Sequence, residues 1–239
     1  MSDDDFDIES LAAYLHLATA QVAKLADRGK LPGRRVGGAW RFSPAEVHHW
    51  LEDRIGVSDA DELARVEGAL DRAALGTAEP VVCLAEMLPV EAIEAPLSAR
   101  TRNSVITRVV DVAARTGWLW DPAKMADAVR SREDLYPTAL ETGVALLHPR
   151  RPMPSILGRA FLTFGRTERG IPFASQRGLL TDLFFLVCSV DDRGHLRTLA
   201  RLSRLIGREG FLDELRAAPD AQALHDLVAQ REEEVFGRE

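Results

Sequence analysis

Cysteine is nearly missing from this chain. Its 239 residues hold two, Cys83 and Cys188, far apart in sequence. That count rules out a disulfide framework and any zinc-ligand pattern, and it fits a reducing cytoplasm. Long apolar runs are missing too. None reaches the roughly 18 residues that a membrane-spanning helix needs, so no membrane insertion is expected. A basic excess is also lacking: the formal net charge is −7. This argues against a protein that coats nucleic acid uniformly, though it leaves room for a local basic patch. The start, Met1-Ser2-Asp3-Asp4-Asp5, is acidic rather than basic, unlike a signal peptide, so a cytoplasmic location is expected. No Gly-x-x-x-x-Gly-Lys-Ser/Thr loop occurs, which argues against a nucleotide-binding kinase. What the chain does have is apolar content, 46%. That is enough for a real core, in one large domain or two modest ones.

Residues 1–56 read as a small, mainly helical domain. Ile8, Leu11, Ala12, Leu15 and Leu17 recur at helical spacing. Thr19 is the expected N-cap of a second helix, with Val22, Leu25 and Ala26 on its apolar face and Gly29 at its end. Gly37-Gly38, between two β-like pieces, signals a hairpin. Ser43-Pro44 opens a third helix carrying Ala45, Val47, Trp50 and Leu51. Between residues 24 and 41 stand six cations, Lys24, Arg28, Lys30, Arg34, Arg35 and Arg41, against Asp27 alone. Two helices followed by a basic hairpin suit a helix in the DNA major groove with a wing on the phosphate backbone. A solvated basic face is the bland alternative. His48 and His49 diverge on a helix and read as surface, and no metal or cofactor is expected.

Several motifs here resemble the excisionase-type, MerR-like winged helix-turn-helix. They are Leu11-Ala12-x-Tyr14-Leu15, Val22-x-Lys24-Leu25, Gly29-Lys30-Leu31-Pro32, Arg35-Val36-Gly37-Gly38-x-Trp40-Arg41-Phe42 and Glu46-Val47-x-x-Trp50-Leu51. The resemblance implies DNA contacts from Thr19, Gln21, Lys24 and Arg28 on the second helix and from Arg34, Arg35 and Arg41 on the hairpin. Trp40, Phe42 and Trp50 are expected in the core. Residues 57–83 read as a linker helix and joint. Their thin stripe of Leu63, Val66, Leu70 and Ala74 suits either a homodimer contact or packing on the first domain.

From residue 84 to 239, helices and apolar strands alternate, which argues an α/β domain. Helices are expected over 98–117, from Asp121-Pro122 to about Arg130, from near His195 to Gly207, and over 209–216 and 221–234. Strands are expected at Val144–Leu147, 155–164 and 181–190. Arg132 to Pro137 reads as polar and turn-rich. His148 then leaves the strand just before Pro149, where a reactive side chain is held rigidly. A structural histidine at a strand end is the alternative. His195 falls in the first turn of its helix, where backbone N–H groups and the dipole favour an anion. Two histidines and an arginine converging there would make a phosphate site without a metal.

The Arg132-Glu133 pair, Thr138, Gly143-Val144-Ala145-x-x-His148, Gly170-Ile171-Pro172-Phe173 and His195-Leu196-x-x-Leu199-Ala200-x-Leu202 together resemble the fructose–mannitol type of enzyme IIA domain of the bacterial sugar phosphotransferase system. The resemblance implies a mixed sheet flanked by helices. It implies that His148 is a phosphoryl acceptor, that His195 orients and stabilises the phosphate, and that Arg132, sixteen residues before the acceptor, holds it. The implied donor is the histidine phosphocarrier protein, and the implied onward acceptor is a cysteine of an enzyme IIB domain. Three positions depart from the family pattern: Ala139 and Glu141 stand where glycines are usual, and Leu147 where a proline precedes the acceptor. Two functions follow as expectations. One is a DNA-binding regulator that reports phosphotransferase state. The other is a phosphocarrier in sugar uptake, with the N-terminal domain as a protein-contact module.

Overall fold

The computed structural model describes residues 5–15, 17–43, 46–47, 50, 82–173 and 178–237. The linker helix expected over 57–83 therefore lies outside the described residues apart from its last two, as do Pro44, Ala45, His48, His49 and Leu51 of the third helix. Two compact units divide the chain, Met1–Val81 and Val82–Glu239.

In the first unit, α1 (Ile8–Leu15) and α2 (Thr19–Asp27) bury Leu11, Ala12, Leu15, Val22 and Ala26. Asp7 starts α1 by accepting the N–H of Ser10 at 2.8 Å, the usual task of an N-cap aspartate. Thr19 is not the N-cap of α2. Ala18 is extended there, and helical geometry begins at Thr19. No side chain caps α2 in the way Thr19 was expected to; Gln21 Oε1 instead reaches back and accepts the Ala18 N–H at 3.1 Å. Gly29, with φ +64°, closes α2: its N–H goes to Ala26 and that of Lys30 to Leu25, the paired bonds of a Schellman stop. Strands β1 (Arg34–Val36) and β2 (Ala39–Arg41) form an antiparallel hairpin. Gly37 and Gly38 both have positive φ, +60° and +86°, as a two-residue turn of this hand requires. Phe42 is fully buried. Trp40 and Trp50 are only half-buried, because their indole N–H groups reach polar partners, Asp27 and the Lys30 carbonyl.

The second unit opens with a short helix α3 (Leu84–Met87), a 3-10 turn, β3 (Ile93–Glu94), α4 (Arg102–Ala114) and α5 (Pro122–Leu135). Next come β4 (Val144–Leu147), β5 (Phe161–Pro172), β6 (Leu180–Cys188), α6 (Asp192–Ile206), α7 (Phe211–Ala217) and α8 (Ala221–Phe236). Their sheet is mixed, in the order β3-β5-β6-β4. The ends pair parallel and the central β5–β6 pair antiparallel. Ala145, Leu147, Phe184, Leu186 and Cys188 face α4 and α5, where Val105, Ile106, Val109 and Met125 complete one apolar cluster. Alternate residues point to the opposite face, and there α6 packs on β6 with Leu196, Leu199, Leu202 and Leu205 buried. A strand covered on both faces carries a continuous apolar run, which is why Val144–Leu147 and 183–188 are apolar throughout. Burial also pushes the Cys188 thiol well up, keeping it protonated.

Several boundaries differ from the sequence reading; the strand expected to end at 164, for one, runs on to Pro172. Helix α5 runs to Leu135 rather than stopping near Arg130, because Met125, Ala126, Val129, Arg132 and Glu133 continue its buried face. Arg132 and Glu133 are thus helical. The strand expected from residue 155 begins only at Phe161, because Pro154 starts a 3-10 turn over Pro154–Ile156. Among the described residues, no helix is long and apolar enough to cross a membrane.

One buried carboxylate ties the two ends of this unit together. Glu232 of α8 accepts the N–H groups of Leu84 at 2.7 Å and Ala85 at 2.9 Å, and Arg201 Nε of α6 donates to it at 2.9 Å. Removing it strands two helix-start donors and a largely buried guanidinium. Glu232→Ala is expected to cost about 3 kcal/mol in urea unfolding of the full chain, and Glu232→Gln clearly less.

Candidate phosphate site and basic wing

Parallel pairing of β4 with β6 sends both strands out of the sheet at the same end, in the register Leu147↔Leu186. In open α/β sheets, that carboxyl end is where ligands bind. His148 is the first residue beyond β4 and is buried, 3% exposed. Its Nδ1 lies 2.8 Å from the Leu146 carbonyl oxygen. A carbonyl can only accept, so Nδ1 carries the ring proton and Nε2 the lone pair. Ser189, the first residue beyond β6, is buried too and hydrogen-bonds through Oγ to His195 Nδ1 at 2.9 Å. His195 is the fourth residue of α6. The two imidazole rings sit 5.1 Å apart, centroid to centroid. The structure therefore brings His148 and His195 together, His148 anchored through Nδ1 by a carbonyl of β4 and His195 by the first residue beyond β6.

Arg132 is buried on the last turn of α5, and its Nη1 donates to the Tyr136 carbonyl at 2.5 Å. The next residue, Glu133, is 1% exposed. Its carboxylate accepts both the N–H and the hydroxyl of Thr138. Burial pushes that carboxyl above the ordinary range, against the opposing pull of the Thr138 donors. Thr138–Leu140 then runs antiparallel along the outer edge of β4: Leu140 N–H donates to Val144 at 2.7 Å and Leu146 N–H to Thr138 at 3.4 Å. A bonded path thus links the Arg132-Glu133 pair to the strand that carries His148.

The start of α6 is not an open anion site. Asp191 is its N-cap and occupies the Gly194 N–H at 2.7 Å, while the His195 N–H donates to the Asp191 carbonyl. An internal carboxylate has taken the place expected for phosphate, so the histidine side chains rather than the helix end are what the site offers. Ser189 and Glu133 escaped the sequence reading as site groups. The available signal for Ser189 was symmetry: it leaves β6 as His148 leaves β4.

In the first unit, Thr19, Gln21, Lys24 and Arg28 are exposed on α2, and Arg34 and Arg35 are exposed on the hairpin, with Arg41 half-buried. The hairpin cations are all paired. Arg34 meets Asp5 at 2.8 Å, Arg35 meets Asp27 at 3.1 Å, and Arg41 meets Asp7 at 3.8 Å. The Arg35 guanidinium also lies 5.0 Å from the Trp40 ring centroid. Asp5 and Asp7 stand outside the stretch whose charges were counted. They reach the wing because Phe6 bridges Phe42 at the end of β2. The Arg35 and Arg41 pairs are exposed on both sides and are worth at most about 1 kcal/mol each, whereas Asp5 is largely buried.

Comparison with known proteins divides the chain in the same sense. Residues 86–231 match the family described as phosphoenolpyruvate-dependent sugar phosphotransferase system, EIIA 2, and residues 6–55 match a helix-turn-helix domain. A nitrogen regulatory protein of Bradyrhizobium diazoefficiens is 35% identical over 140 residues, covering 57% of this chain and 90% of that protein. The fructose-specific EIIABC component of Bacillus subtilis is 27% identical over 151 residues, 62% of this chain but only 23% of that longer protein. Among solved structures, the nitrogen regulatory protein IIA-Ntr of Neisseria meningitidis shares the fold, with TM-score 0.54 and 21% identity over 60% of this chain and 97% of its own. The mannitol IIA protein of Escherichia coli gives TM-score 0.53 and 18% identity over 59% and 98%.

Ser189→Ala removes the partner of His195 Nδ1. The variant is expected to lose about 1 kcal/mol of stability and to shift the His195 ring nitrogen resonances. An unchanged His195 spectrum would contradict this assignment.

Proposed function

The chain belongs to the phosphoenolpyruvate-dependent sugar phosphotransferase system EIIA 2 family, and from that premise we propose that it is a DNA-binding regulator switched by phosphorylation of His148. The observation that carries the reading is the buried pair of imidazoles 5.1 Å apart, one of which holds its Nδ1 proton on a backbone carbonyl. In the proposed step, His148 Nε2 attacks the phosphoryl group of the phosphorylated histidine phosphocarrier protein. A phosphorus–nitrogen bond forms at His148 as the donor's phosphorus–nitrogen bond breaks, and the donor imidazole leaves with that electron pair. His148 keeps its Nδ1 proton. Such transfers need alignment and charge neutralisation more than covalent help. His195 and Arg132 are assigned those tasks.

The three departures from the family pattern are compatible with this chemistry. Leu147 is fully buried and pairs with Leu186 in the parallel ladder. Ala139 bridges Ala145 on the outer edge of β4. Glu141 is exposed. The proposed organisation is a winged helix-turn-helix in residues 1–56, a connecting helix and joint in 57–83, and the acceptor domain in 84–239. Phosphorylation adds nearly two negative charges, and the regulator reading has these alter DNA affinity. The helix-turn-helix match supports DNA as the partner. Thr19, Gln21, Lys24, Arg28, Arg34, Arg35 and Arg41 are the proposed contacts. A phosphocarrier that hands the group on to an enzyme IIB cysteine is the second reading, favoured by the similarity to the fructose-specific component.

Mass spectrometry after incubation with the phosphotransferase donor proteins is expected to find an acid-labile phosphate on His148. A stable phosphohistidine supports the regulator, and rapid loss to an enzyme IIB domain supports the carrier. Operator affinity is expected to differ between His148→Ala and His148→Glu by roughly fivefold or more; equal affinities for both and for wild type would sink the coupling. Arg35→Ala is expected to weaken DNA binding across sequences and to reduce the salt slope by about one.

A further inference from the structure

A carboxylate outside the histidine pair governs the edge of the strand that carries His148. In a β-strand, the N–H and C=O of one residue point to the same side. The Leu146 N–H donates to Thr138 on the outer edge of β4, so the Leu146 carbonyl faces that edge as well, away from β6. This is the carbonyl that His148 Nδ1 meets at 2.8 Å. Thr138 therefore helps set where the carbonyl stands. Thr138 in turn is held by the buried Glu133, which binds its N–H at 3.2 Å and its hydroxyl as well.

We propose that Glu133 is a positioning residue that acts through Thr138 and Leu146 to lock His148 in its Nδ1–H tautomer, leaving Nε2 as the only ring nitrogen with a lone pair to offer. The path is Glu133 carboxylate, Thr138, Leu146 and His148, each link a hydrogen bond. Glu133 touches neither ring. Its contribution is to hold the segment 138–140 against β4, so that the Leu146 acceptor does not turn toward solvent or shift along the strand. In an imidazole without such an acceptor, the proton is shared between the two nitrogens, and the fraction of rings with Nε2 available falls. The consequence for phosphoryl transfer rests on the reading of His148 as the acceptor, whereas the tautomer does not.

The test uses the full chain labelled with ¹⁵N, with ring nitrogen spectra recorded at a pH where both histidines are neutral. Wild type is expected to show His148 as a single Nδ1–H tautomer. Glu133→Ala is expected to mix the tautomers, and Glu133→Gln, which keeps an acceptor for Thr138, to restore most of the wild-type pattern. Thr138→Val, which removes only the hydroxyl, is expected to give an intermediate result. Phosphorylation of His148 by the histidine phosphocarrier protein is expected to slow roughly tenfold in Glu133→Ala, a size typical when the group orienting a reactive histidine is lost, with KM for the carrier unchanged. The proposal is overturned if Glu133→Ala keeps wild-type His195 resonances and a single Nδ1–H His148. If Glu133→Ala unfolds, an unchanged His148 tautomer in Thr138→Val overturns it instead. A tautomer that shifts while wild-type His148 takes no phosphate would refute the acceptor reading and leave this one standing.

Discussion

Parallel pairing between β4 and β6 is the constraint on which the rest of this site depends. It makes two strands end at the same edge of the sheet, so two residues distant in sequence, His148 and Ser189, emerge side by side. Parallel strands are covered on both faces, and β4 and residues 183–188 of β6 are apolar without interruption. A slip of one residue in their register would turn every side chain to the other face, and the apolar cluster beneath α4 and α5 forbids it. The rigidity of His148 therefore follows from packing several residues away. Leu147 and Leu186 fix the height at which the chain leaves the sheet, and Pro149 ends the strand.

Much of this was legible in the sequence, for identifiable reasons. Val144–Leu147, the Gly37-Gly38 hairpin and the closing glycine of α2 each carry a local signal that tertiary contacts did not override. His148 and His195 could be picked out because each interrupts an apolar pattern at an element boundary. What stayed hidden was anything decided by a partner far along the chain. Arg132 and Glu133 look like loop residues beside Tyr136-Pro137, yet the fold buries both, and burial lets the helix run on to Leu135. The α6 start looked open to an anion although aspartates stand at its cap, because the N–H group that the Asp191 carboxylate takes was not subtracted. Thr19 looked like a cap because composition favours threonine there, although the backbone turns one residue earlier.

Charge shows the same limit. Six cations in a short stretch suggested a strongly positive wing, but a charge count follows the chain and not space. The bridge between Phe6 and Phe42 delivers Asp5 and Asp7 to the wing and leaves the hairpin arginines paired at rest. Paired surface cations are still useful for binding a polyanion, since each exposed pair is weak and a phosphate is the better partner.

The two histidines are anchored by different kinds of partner, and this difference fits the roles proposed for them. A backbone carbonyl only accepts, so neutral His148 keeps its proton on Nδ1 and its lone pair on Nε2. A serine hydroxyl can donate or accept, so Ser189 stays hydrogen-bonded to His195 Nδ1 whether that nitrogen carries a proton or not. The His195 ring can therefore take either neutral tautomer without losing its anchor, whereas the carbonyl beside His148 accepts from only one. A ring held in one tautomer, 5.1 Å from a ring whose anchor suits either, fits the proposed division between a phosphoryl acceptor and its stabiliser. The proposed division between acceptor and stabiliser thus rests on two first residues beyond two parallel strands: a histidine turned back on its own strand, and a serine that supports a histidine from the next helix.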